Sequence, residues 1–340
     1  MSAASHPDGS AGPSPAAAEG RGSRPDARGG EEAEAAADTG FRHLARFYDG
    51  AADYLAAAAG FARRGLARGE PVVLAVPDHK ISWLRRELPG ADHVTFTDLT
   101  ELGRNPARII PSVRAFLDAH PAQRVSYLEE PVWPGRSAAE LRETARHEAL
   151  VNQAFGGVPA TIVCLYDAAG LPEGVIGDAA ITHPVLIRDG HEATSSGYLR
   201  PPGLPPGCDR AFSRLPAAAE TLSYSRDLHP LRAMVTRTTQ SSGLTASRGT
   251  DFVIAVSEVA ANTLRHTTAG GSVHLWCTED EIICQIHDTG VIADPLVGRR
   301  LPAAGLPGGK GLWLANQLCD LLELRTGQAG TIIRLHMRLG

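Results

Sequence analysis

Three short stretches in the C-terminal third of the chain decide its fold: residues 258–266 have the sequence EVAANTLRH, residues 288–290 are DTG, and residues 308–312 are GGKGL. The first stretch lies in a predicted helix, the second follows a predicted strand, and the third stands directly before another predicted helix. Each stretch alone is a weak signal. Their order and spacing together predict one pocket in which a helix, a strand end and a glycine-rich loop meet.

The helix predicted over residues 246–266 carries a polar stripe. At about 100° per residue, Glu258, Asn262 and His266 follow one another at intervals of about 40°. Asparagine is mildly unfavourable inside a helix, because its amide competes for backbone hydrogen bonds. A carboxylate followed one turn later by an amide can hold a hydrated Mg²⁺ and orient a hydroxyl group. The alternative is the polar face of an ordinary surface helix.

The other two stretches offer groups suited to a base and to phosphates. The Asp288 carboxylate only accepts hydrogen bonds and could take the exocyclic amine of adenine. Gly290 lets the backbone approach a flat base closely. In the loop, glycines let backbone N–H groups turn toward phosphates at a helix N-terminus, and Lys310 adds a mobile cation. The alternatives are a common Asp-Thr-Gly turn and a flexible loop.

Taken together, these segments resemble the GHKL ATPase family, which includes histidine kinases, gyrase-type ATPases and anti-sigma-factor serine kinases. The resemblance covers residues 221–339 and is closest to the anti-sigma-factor kinases. It implies that Asn262 coordinates Mg²⁺ and that Glu258, the catalytic residue, polarises an attacking hydroxyl. Where the family often has a second glycine after Asp-x-Gly, this chain has Val291 and Ile292, which are expected to narrow the base pocket. The ATP-binding residues implied are Asn262, His266, Asp288, Gly290, Gly308, Gly309, Lys310, Gly311 and Thr331.

The rear block, residues 217–340, has the strand and helix pattern that such a fold requires. Its predicted strands and helices are segregated along the chain, which predicts an α+β sandwich with helices on one face, the GHKL or Bergerat type. Strands are predicted at residues 221–225, 272–277, 281–287 and 331–337, and helices at 229–240, 246–266 and 311–324.

The front block, residues 41–200, alternates predicted strands with predicted helices. That order predicts an α/β domain with a mostly parallel sheet and helices on its faces. Its motifs FY at 47–48, ARHEALVN at 145–152, CLYD at 164–167 and THP at 182–184 occur in order. They resemble the MEDS sensory domain, named for methanogen and methylotroph regulators, and imply a sensory role without naming a ligand. The predicted strands are residues 71–76, 94–97, 124–128, 160–166 and 184–187.

Several polar side chains of the front block are candidates for an inner ligand-binding cluster. Ligands in open α/β sheets often bind at the carboxyl ends of strands, where Asp167 follows the strongest predicted strand. For each candidate the alternative is a capping or core hydrogen bond. The candidates are His43, Glu130, Asn152, Tyr166, Asp167 and His183.

Composition and segment boundaries complete the prediction. Residues 1–40 lack aromatic residues and are predicted to be a disordered tail, and the proline-rich residues 201–216 are predicted to be the linker between the blocks. A net charge of −5 gives no reason to expect a nucleic-acid partner. No apolar run approaches the roughly 20 residues that cross a bilayer. Five scattered cysteines, never spaced as C-x-x-C, argue against a disulfide framework or a zinc site and favour buried thiols in a cytosolic protein.

The leading hypothesis is a cytoplasmic sensor-regulator that binds Mg·ATP. It would sequester a sigma factor, or phosphorylate an anti-anti-sigma (antagonist) protein on Ser or Thr, in response to a small-molecule signal; a homodimer is possible. One alternative is a non-catalytic module whose bound ATP only shapes a partner surface. The other is an orphan histidine kinase using His147 of the ARHE sequence, although a solvated helix histidine is expected there because no heptads flank it.

Overall fold

The computed structural model describes residues 40–301 and 310–339. The tail predicted for residues 1–40 lies outside this range except for its last residue. Gly308 and Gly309 of the glycine-rich loop also lie outside the described residues. No helix in the described ranges is long and apolar enough to cross a membrane.

A seven-stranded sheet forms the front block, in the order β3-β2-β4-β5-β1-β6-β7. All neighbouring pairs are parallel except β6 and β7. The predicted mostly parallel sheet is therefore confirmed. The strands are β1 (Arg42–Tyr48), β2 (Val72–Val76), β3 (Val94–Asp98), β4 (Val125–Glu129), β5 (Ala160–Asp167), β6 (Val185–Arg188) and β7 (His191–Thr194).

Strand β1 was not predicted as a strand, yet it lies inside the sheet between β5 and β6. Its sequence, RHLARFY, interrupts the apolar run with two arginines and a histidine. Strands buried on both faces usually carry near-continuous apolar residues. The strand signal was therefore weak here. The central position of His43 follows from β1 pairing with both neighbours.

Helices cover both faces of the front sheet, as predicted. Alternate residues of the central strands enter different cores: Leu44 packs with α1 and α2, while Ala45 packs with α4, α5 and α6. The helices are α1 (Gly50–Ala67), α2 (Asp78–Glu87), α3 (Leu99–Leu102), α4 (Ile109–Asp118), α5 (Ala138–Phe155) and α6 (Glu173–Thr182).

Helix α5 is the most deeply buried helix of the front block. It begins at a capping box in which the Ser137 hydroxyl accepts from Glu140 N and the Glu140 carboxylate accepts from Ser137 N. Eleven of its side chains are buried, including Glu143, His147 and Glu148. Charged side chains this deep require partners, and α5 finds them both inside the front block and in the rear block.

The rear block contains a five-stranded antiparallel sheet in the order β11-β12-β10-β9-β8. Three helices pack on one face around a core that includes Phe252, Val256 and Ile286. This is the predicted α+β sandwich. Its elements are β8 (Glu220–Tyr224), α7 (His229–Ser241), α8 (Ala246–His266), β9 (Gly271–Cys277), β10 (Glu281–Asp288), α9 (Lys310–Leu318), β11 (Leu321–Gly327) and β12 (Gly330–Arg338).

The predicted helix over residues 311–324 was too long. Helix α9 ends at Leu318, and the chain continues as strand β11, which pairs with β12. The leucines at 312, 314, 318, 321, 322 and 324 suit a helical spacing as well as a buried strand. Pairing with β12, which sequence periodicity does not reveal, decides the outcome.

The predicted linker, residues 201–216, forms no helix or strand but packs against both blocks. Arg146 Nη2 donates to Cys208 O at 2.6 Å, and Arg334 Nη2 donates to Ser213 O at 2.9 Å. The Phe212 ring centroid lies 4.2 Å from the Arg334 guanidinium carbon. The segment is therefore held along its length by arginines from both blocks.

The two blocks also touch directly, through polar groups at the end of α9. Asn105 Nδ2 donates to Asn316 O at 3.0 Å and lies 3.1 Å from Asn316 Oδ1. Arg108 donates to Asn316 O at 2.9 Å and to Cys319 O at 2.6 Å. These bonds satisfy carbonyls that a helix leaves free at its C-terminus. The front block thus caps α9.

A second contact centres on Glu143 of α5. Its carboxylate accepts from Arg299 Nη2 at 2.6 Å and from Arg325 Nη1 at 3.0 Å, and all three side chains are less than one tenth exposed. Arg146 Nε lies 3.4 Å from the same carboxylate. Three arginines from two blocks therefore share one buried acid.

Candidate functional site

A cavity of about 430 Å³ opens in the rear block between α8, the end of β10 and the start of α9. Its size is in the range of small-ligand sites. Residues from four elements line it. They include Asn262, His266, Asp288, Gly290, Leu312, Thr331 and Ile333.

Asp288 at the end of β10 is held in place on the cavity wall. Thr263 Oγ1 donates to Asp288 Oδ2 at 2.6 Å, and Gly290 N donates to Oδ1 at 2.8 Å. The Tyr224 hydroxyl donates to Thr263 Oγ1 at 3.1 Å, and burial raises the pKa of Tyr224 to about 12. Each carboxylate oxygen keeps further lone pairs. The fixed carboxylate can therefore accept a hydrogen bond from a ligand amine.

Thr331 shapes the loop that follows Asp288. It lies opposite Asp288 in the β10–β12 register, and its hydroxyl donates to Gly290 O at 2.8 Å. Its oxygen also lies 2.8 Å from Thr326 Oγ1, which accepts from Ile292 N at 3.0 Å. The sequence analysis did not identify Thr326, which lies in β11 just beyond the helix predicted over residues 311–324.

The expected narrowing by Val291 and Ile292 does not close the pocket. The Val291 side chain is 64% exposed, and both residues lie along the wall of the open cavity. The loop hydrogen bonds of Thr326 and Thr331 hold the backbone there. The missing second glycine therefore leaves room for a ligand.

Glu258 and Asn262 lie together on α8, with Arg265 beside them. Arg265 Nη1 donates to Asn262 Oδ1 at 2.8 Å, and its Nη2 lies 3.8 Å from Glu258 Oε2. The Glu258 side chain is 36% exposed. Arg265 was present in the quoted motif, but its spacing alone gave no indication that it would pair with both residues.

Gly311 brings the start of α9 against this acid–amide pair. A Cβ atom at this position would lie 3.0 Å from Glu258 Oε2 and 3.1 Å from Asn262 Nδ2. Such distances are shorter than ordinary contacts of a real Cβ atom. Glycine is therefore the residue that allows this approach. His266 and Lys310 are exposed, at the cavity rim and at the first position of α9.

The front block contains a second polar site, which is buried. His43 Nε2 lies 3.2 Å from Glu148 Oε2, and His183 Nε2 lies 3.3 Å from the same oxygen. Cys164 Sγ lies 3.4 Å from both His43 Nε2 and Glu148 Oε2. Burial, and then the neighbouring His183, lower the pKa of His43 to about 4, so its ring is neutral near pH 7. We call His43, Glu148, Cys164 and His183 the front cluster.

Four of the six predicted sensory residues lie in or beside the front cluster. His43 and His183 are members, and Asn152 Oδ1 lies 3.1 Å from His43 Nδ1. The Tyr166 ring centroid lies 5.8 Å from that of His183. Sequence reasoning missed Glu148 and Cys164. The spacing of Glu148 and Asn152, one turn apart on α5, was the available signal.

The other two candidates, Glu130 and Asp167, lie elsewhere. Glu130 Oε1 accepts from the Tyr48 hydroxyl at 2.7 Å and from Lys80 Nζ at 2.6 Å. Asp167 Oδ1 accepts from Ala169 N and Gly170 N, as a turn-forming aspartate does. The structure therefore does not bring these two carboxylates to the front cluster.

The expectation of a solvated His147 was wrong. Its side chain is fully buried, and Nε2 lies 3.4 Å from Glu129 Oε1. The reason is that α5 is covered on nearly all sides, by the front sheet and by the rear block. Among the cysteines, Cys277 is exposed, whereas the other four are buried as expected.

Comparison with known proteins supports both sequence resemblances. Residues 42–184 match the family model described as MEthanogen/methylotroph, DcmR Sensory domain (MEDS). Residues 223–337 match the model described as Histidine kinase-like ATPase domain. The two resemblances inferred from the sequence are thereby confirmed.

Comparisons of the whole chain with curated proteins and solved structures give little further information. A search of the curated proteins found no match. One similar solved structure is that of the RsbU and RsbW domains of Rv1364c from Mycobacterium tuberculosis, at 19% identity and a TM-score of 0.28. The match covers 37% of this chain and 33% of that chain, so this chain spans about a third of that structure's length. A likeness this small carries no argument about function.

Proposed function

We propose that this chain, a MEDS sensory domain followed by a histidine kinase-like ATPase domain, is a signal-controlled protein kinase. The rear block would bind Mg·ATP and transfer its terminal phosphoryl group to a Ser or Thr of a partner protein. The substrate we favour is an anti-anti-sigma protein, and the protein that this chain would sequester is a sigma factor. The observation that carries the proposal is the approach of Gly311 to Glu258 and Asn262 at one end of a cavity whose wall holds Asp288.

The cavity suggests how the nucleotide would lie. Asp288, fixed by Thr263 and Gly290, offers an acceptor for the adenine amine. The start of α9 offers backbone N–H groups and positive potential for phosphates. Lys310 stands at the first position of that helix. The base would therefore lie toward β10 and the phosphates toward α9.

Asn262 and Glu258 would then act on the metal and on the attacking hydroxyl. Arg265 now donates to Asn262 Oδ1, so Mg²⁺ binding to that oxygen would displace Arg265. Glu258 is partly exposed, so a partner hydroxyl can reach it. Positioning and charge neutralisation supply most of the catalysis in phosphoryl transfer.

The contacts between the blocks offer a route for regulation. The front block holds the C-terminal end of α9 through Asn105 and Arg108, while the N-terminal end of α9 would face the phosphates. Helix α5 carries Glu143 at the interface and Glu148 in the front cluster. A change in the front cluster that moved α5 would therefore alter the packing of the rear block, and occupancy of one site would change the affinity of the other.

The test begins with calorimetry on the purified full-length chain. Wild type is expected to bind Mg·ATP, Asn262→Ala to lose that binding, and Glu258→Ala to keep it. The matched control is Gln240→Ala, an exposed polar residue on α7. If Asn262→Ala binds Mg·ATP as tightly as wild type does, the assignment of the metal ligand is wrong.

Transfer is tested with ATP labelled on its terminal phosphate and with candidate sigma and antagonist proteins. Acid-stable label on a partner Ser or Thr that is lost in Glu258→Ala supports the kinase. Tight ATP binding without any transfer would instead support the non-catalytic module. Acid-labile label on this chain that disappears in His147→Ala would support the histidine kinase.

A further inference from the structure

We infer that the front cluster is a binding site for a divalent transition-metal cation of the zinc class, with His43, Glu148, Cys164 and His183 as its four ligands. The inference is independent of ATP binding by the rear block. It rests on distances, on the orientation of the two imidazoles, and on buried atoms that lack hydrogen-bond partners.

The distances among the four donor atoms are those of ligands around one small cation. In a tetrahedral zinc site, ligands about 2.0–2.3 Å from the metal lie about 3.3–3.6 Å from one another. Glu148 Oε2 lies 3.2 Å from His43 Nε2, 3.3 Å from His183 Nε2 and 3.4 Å from Cys164 Sγ. All four donor atoms lie within 4.8 Å of one another. Small adjustments would therefore close the cluster around a metal ion.

The orientation of His43 is fixed by Asn152. The Asn152 amide nitrogen donates to Thr182 O at 2.8 Å, so its oxygen faces His43. That oxygen lies 3.1 Å from His43 Nδ1 and must accept a hydrogen bond. The proton of a neutral His43 ring is therefore on Nδ1, and the Nε2 lone pair points into the front cluster.

His183 is oriented in the same way by a backbone carbonyl. Its Nδ1 lies 2.8 Å from Ala179 O, an atom that can only accept. Its Nε2 lone pair therefore also faces Glu148. A hydrogen bond from the outer ring nitrogen to a carbonyl or carboxylate is the arrangement that metal-binding histidines almost always have.

Hydrogen bonds alone leave the front cluster incomplete. Two imidazole lone pairs face a carboxylate oxygen, which is an acceptor as well. Within the described residues, His183 Nε2 and Glu148 Oε1 are buried without a hydrogen-bond partner. Buried polar atoms are rarely left in this state. A cation among the four donor atoms would give His43 Nε2, His183 Nε2 and Glu148 Oε2 a shared partner.

The ligand types select the metal. One sulfur, two imidazole nitrogens and one carboxylate suit Zn²⁺ or Co²⁺, whereas Mg²⁺ and Ca²⁺ prefer oxygen ligands. Binding requires the Cys164 thiolate. The thiol proton is released to the solution as the metal binds, so uptake of one metal ion frees one proton. The thiolate and the Glu148 carboxylate then balance the two charges of the metal.

One ligand atom from each of Glu129, His147 and Glu148 also lies within 4.8 Å of the other two. This group shares Glu148 with the front cluster. We assign no metal to this second group. It contains no sulfur ligand, and the orientation of its imidazole does not favour metal binding. His147 Nε2 lies 3.4 Å from Glu129 Oε1.

The experiment uses Co²⁺ as a spectroscopic probe on the full-length chain. The protein is stripped with a chelator and titrated with Co²⁺ in excess Mg²⁺ without nucleotide, which keeps the rear pocket from contributing. One equivalent is expected to bind, with a sulfur-to-cobalt charge-transfer band in the near ultraviolet. Zn²⁺ should abolish that band by competition.

Three variants test the ligand assignment. Cys164→Ser should lose the charge-transfer band, while Cys277→Ser, which removes the exposed thiol, should keep it. Asn152→Ala removes the hydrogen bond that orients His43 and should weaken binding about 10–100-fold while the band persists. Circular dichroism of each variant checks that the fold is retained.

The wild-type result alone can overturn the inference. If the folded full-length chain takes up neither Co²⁺ nor Zn²⁺, the front cluster is not a metal site. A charge-transfer band that persists in Cys164→Ser and vanishes in Cys277→Ser would place the metal on the surface and have the same consequence. Mg·ATP calorimetry on the same samples distinguishes either failure from a failure of the ATPase proposal.

Discussion

The rear pocket and the front cluster are assembled in opposite ways. The pocket takes Glu258 and Asn262 from consecutive turns of one helix and leaves them partly exposed. The front cluster takes its four side chains from β1, α5, β5 and the end of α6, and all four are buried. A site whose residues share one element shows itself through spacing, whereas a site assembled across a parallel sheet does not.

The two sites also differ in their electrostatics. Arg265 and Glu258 lie 3.8 Å apart, and each is more than one third exposed, so their attraction is screened and contributes little to stability. The groups of the front cluster lie in the interior, where an unpartnered polar atom is costly. We therefore expect substitutions in the rear pocket to affect function more than folding.

The largest effect is expected at Glu143, where the two blocks share a buried acid. Glu143→Ala leaves Arg299 buried without its carboxylate, while Arg325 keeps its pair with Glu323. Breaking a buried ion pair typically costs about 3–5 kcal/mol, and chemical denaturation would measure the loss in unfolding free energy. The matched control is Glu220→Ala, whose pair with Arg237 is at least half exposed on both sides and should cost less than about 1 kcal/mol.

This experiment tests whether the blocks depend on each other. Equal, small losses for Glu143→Ala and Glu220→Ala would mean that the buried contact contributes no more than a surface pair. Burial would then add nothing to the stabilisation by an ion pair at the interface between the blocks.

The second expected effect is a pH dependence of stability. It comes from a histidine in the rear block, away from the pocket. Burial alone would lower the pKa of His336, but the carboxylates of Glu281 and Glu323, at 3.1 and 3.4 Å, raise it to about 9. The folded pKa is above the usual 6.5. His336 therefore contributes stability that is fully present below pH 6.5 and is lost as the pH rises through about 9.

Denaturation curves at several pH values measure this contribution. Wild type should lose up to about 3 kcal/mol between pH 6.5 and 9 relative to His336→Gln. His229→Gln, which removes an exposed histidine on α7, should keep the wild-type slope. The same slope in His336→Gln would show that other groups cause the pH dependence.

The smallest effect on stability, with a distinct effect on function, is expected at Gly311. In Gly311→Ala the added methyl group meets the ends of the Glu258 and Asn262 side chains, which can move aside. Stability should stay the same or rise by up to about 1 kcal/mol, because alanine favours helices. Mg·ATP affinity should fall about 10-fold, a loss of about 1.4 kcal/mol in binding free energy.

Gly177→Ala on α6 is the matched control, since a Cβ there meets nothing within 4 Å. It should give a similar gain in stability without changing Mg·ATP affinity. Calorimetry on both variants measures the Mg·ATP affinity, and thermal melting measures their stability. If Gly311→Ala binds Mg·ATP like wild type, the close approach of α9 is not part of the nucleotide site.

The errors of the sequence prediction have a common physical origin. Strand β1 was missed because its arginines interrupt the apolar pattern and are neutralised by partners in other elements: Arg42 pairs with Glu192, far along the chain, and Arg46 with Asp53 of the following helix. The first four residues of strand β11 were predicted as helix because its leucines fit both periodicities. In each case pairing with another strand, which local pattern does not encode, determined the structure.

By itself, the sequence determined the α/β and α+β order of the two domains and the stripe of Glu258 and Asn262, because helical periodicity and strand alternation are properties of neighbouring residues. Only the tertiary structure brought His43, Glu148, Cys164 and His183 together and placed Glu143 between arginines of both blocks. Parallel strands place residues side by side that are more than a hundred positions apart along the chain, such as Ala45 and Cys164. The chemistry of such a site is fixed by burial and distance, which exist only after the chain has folded.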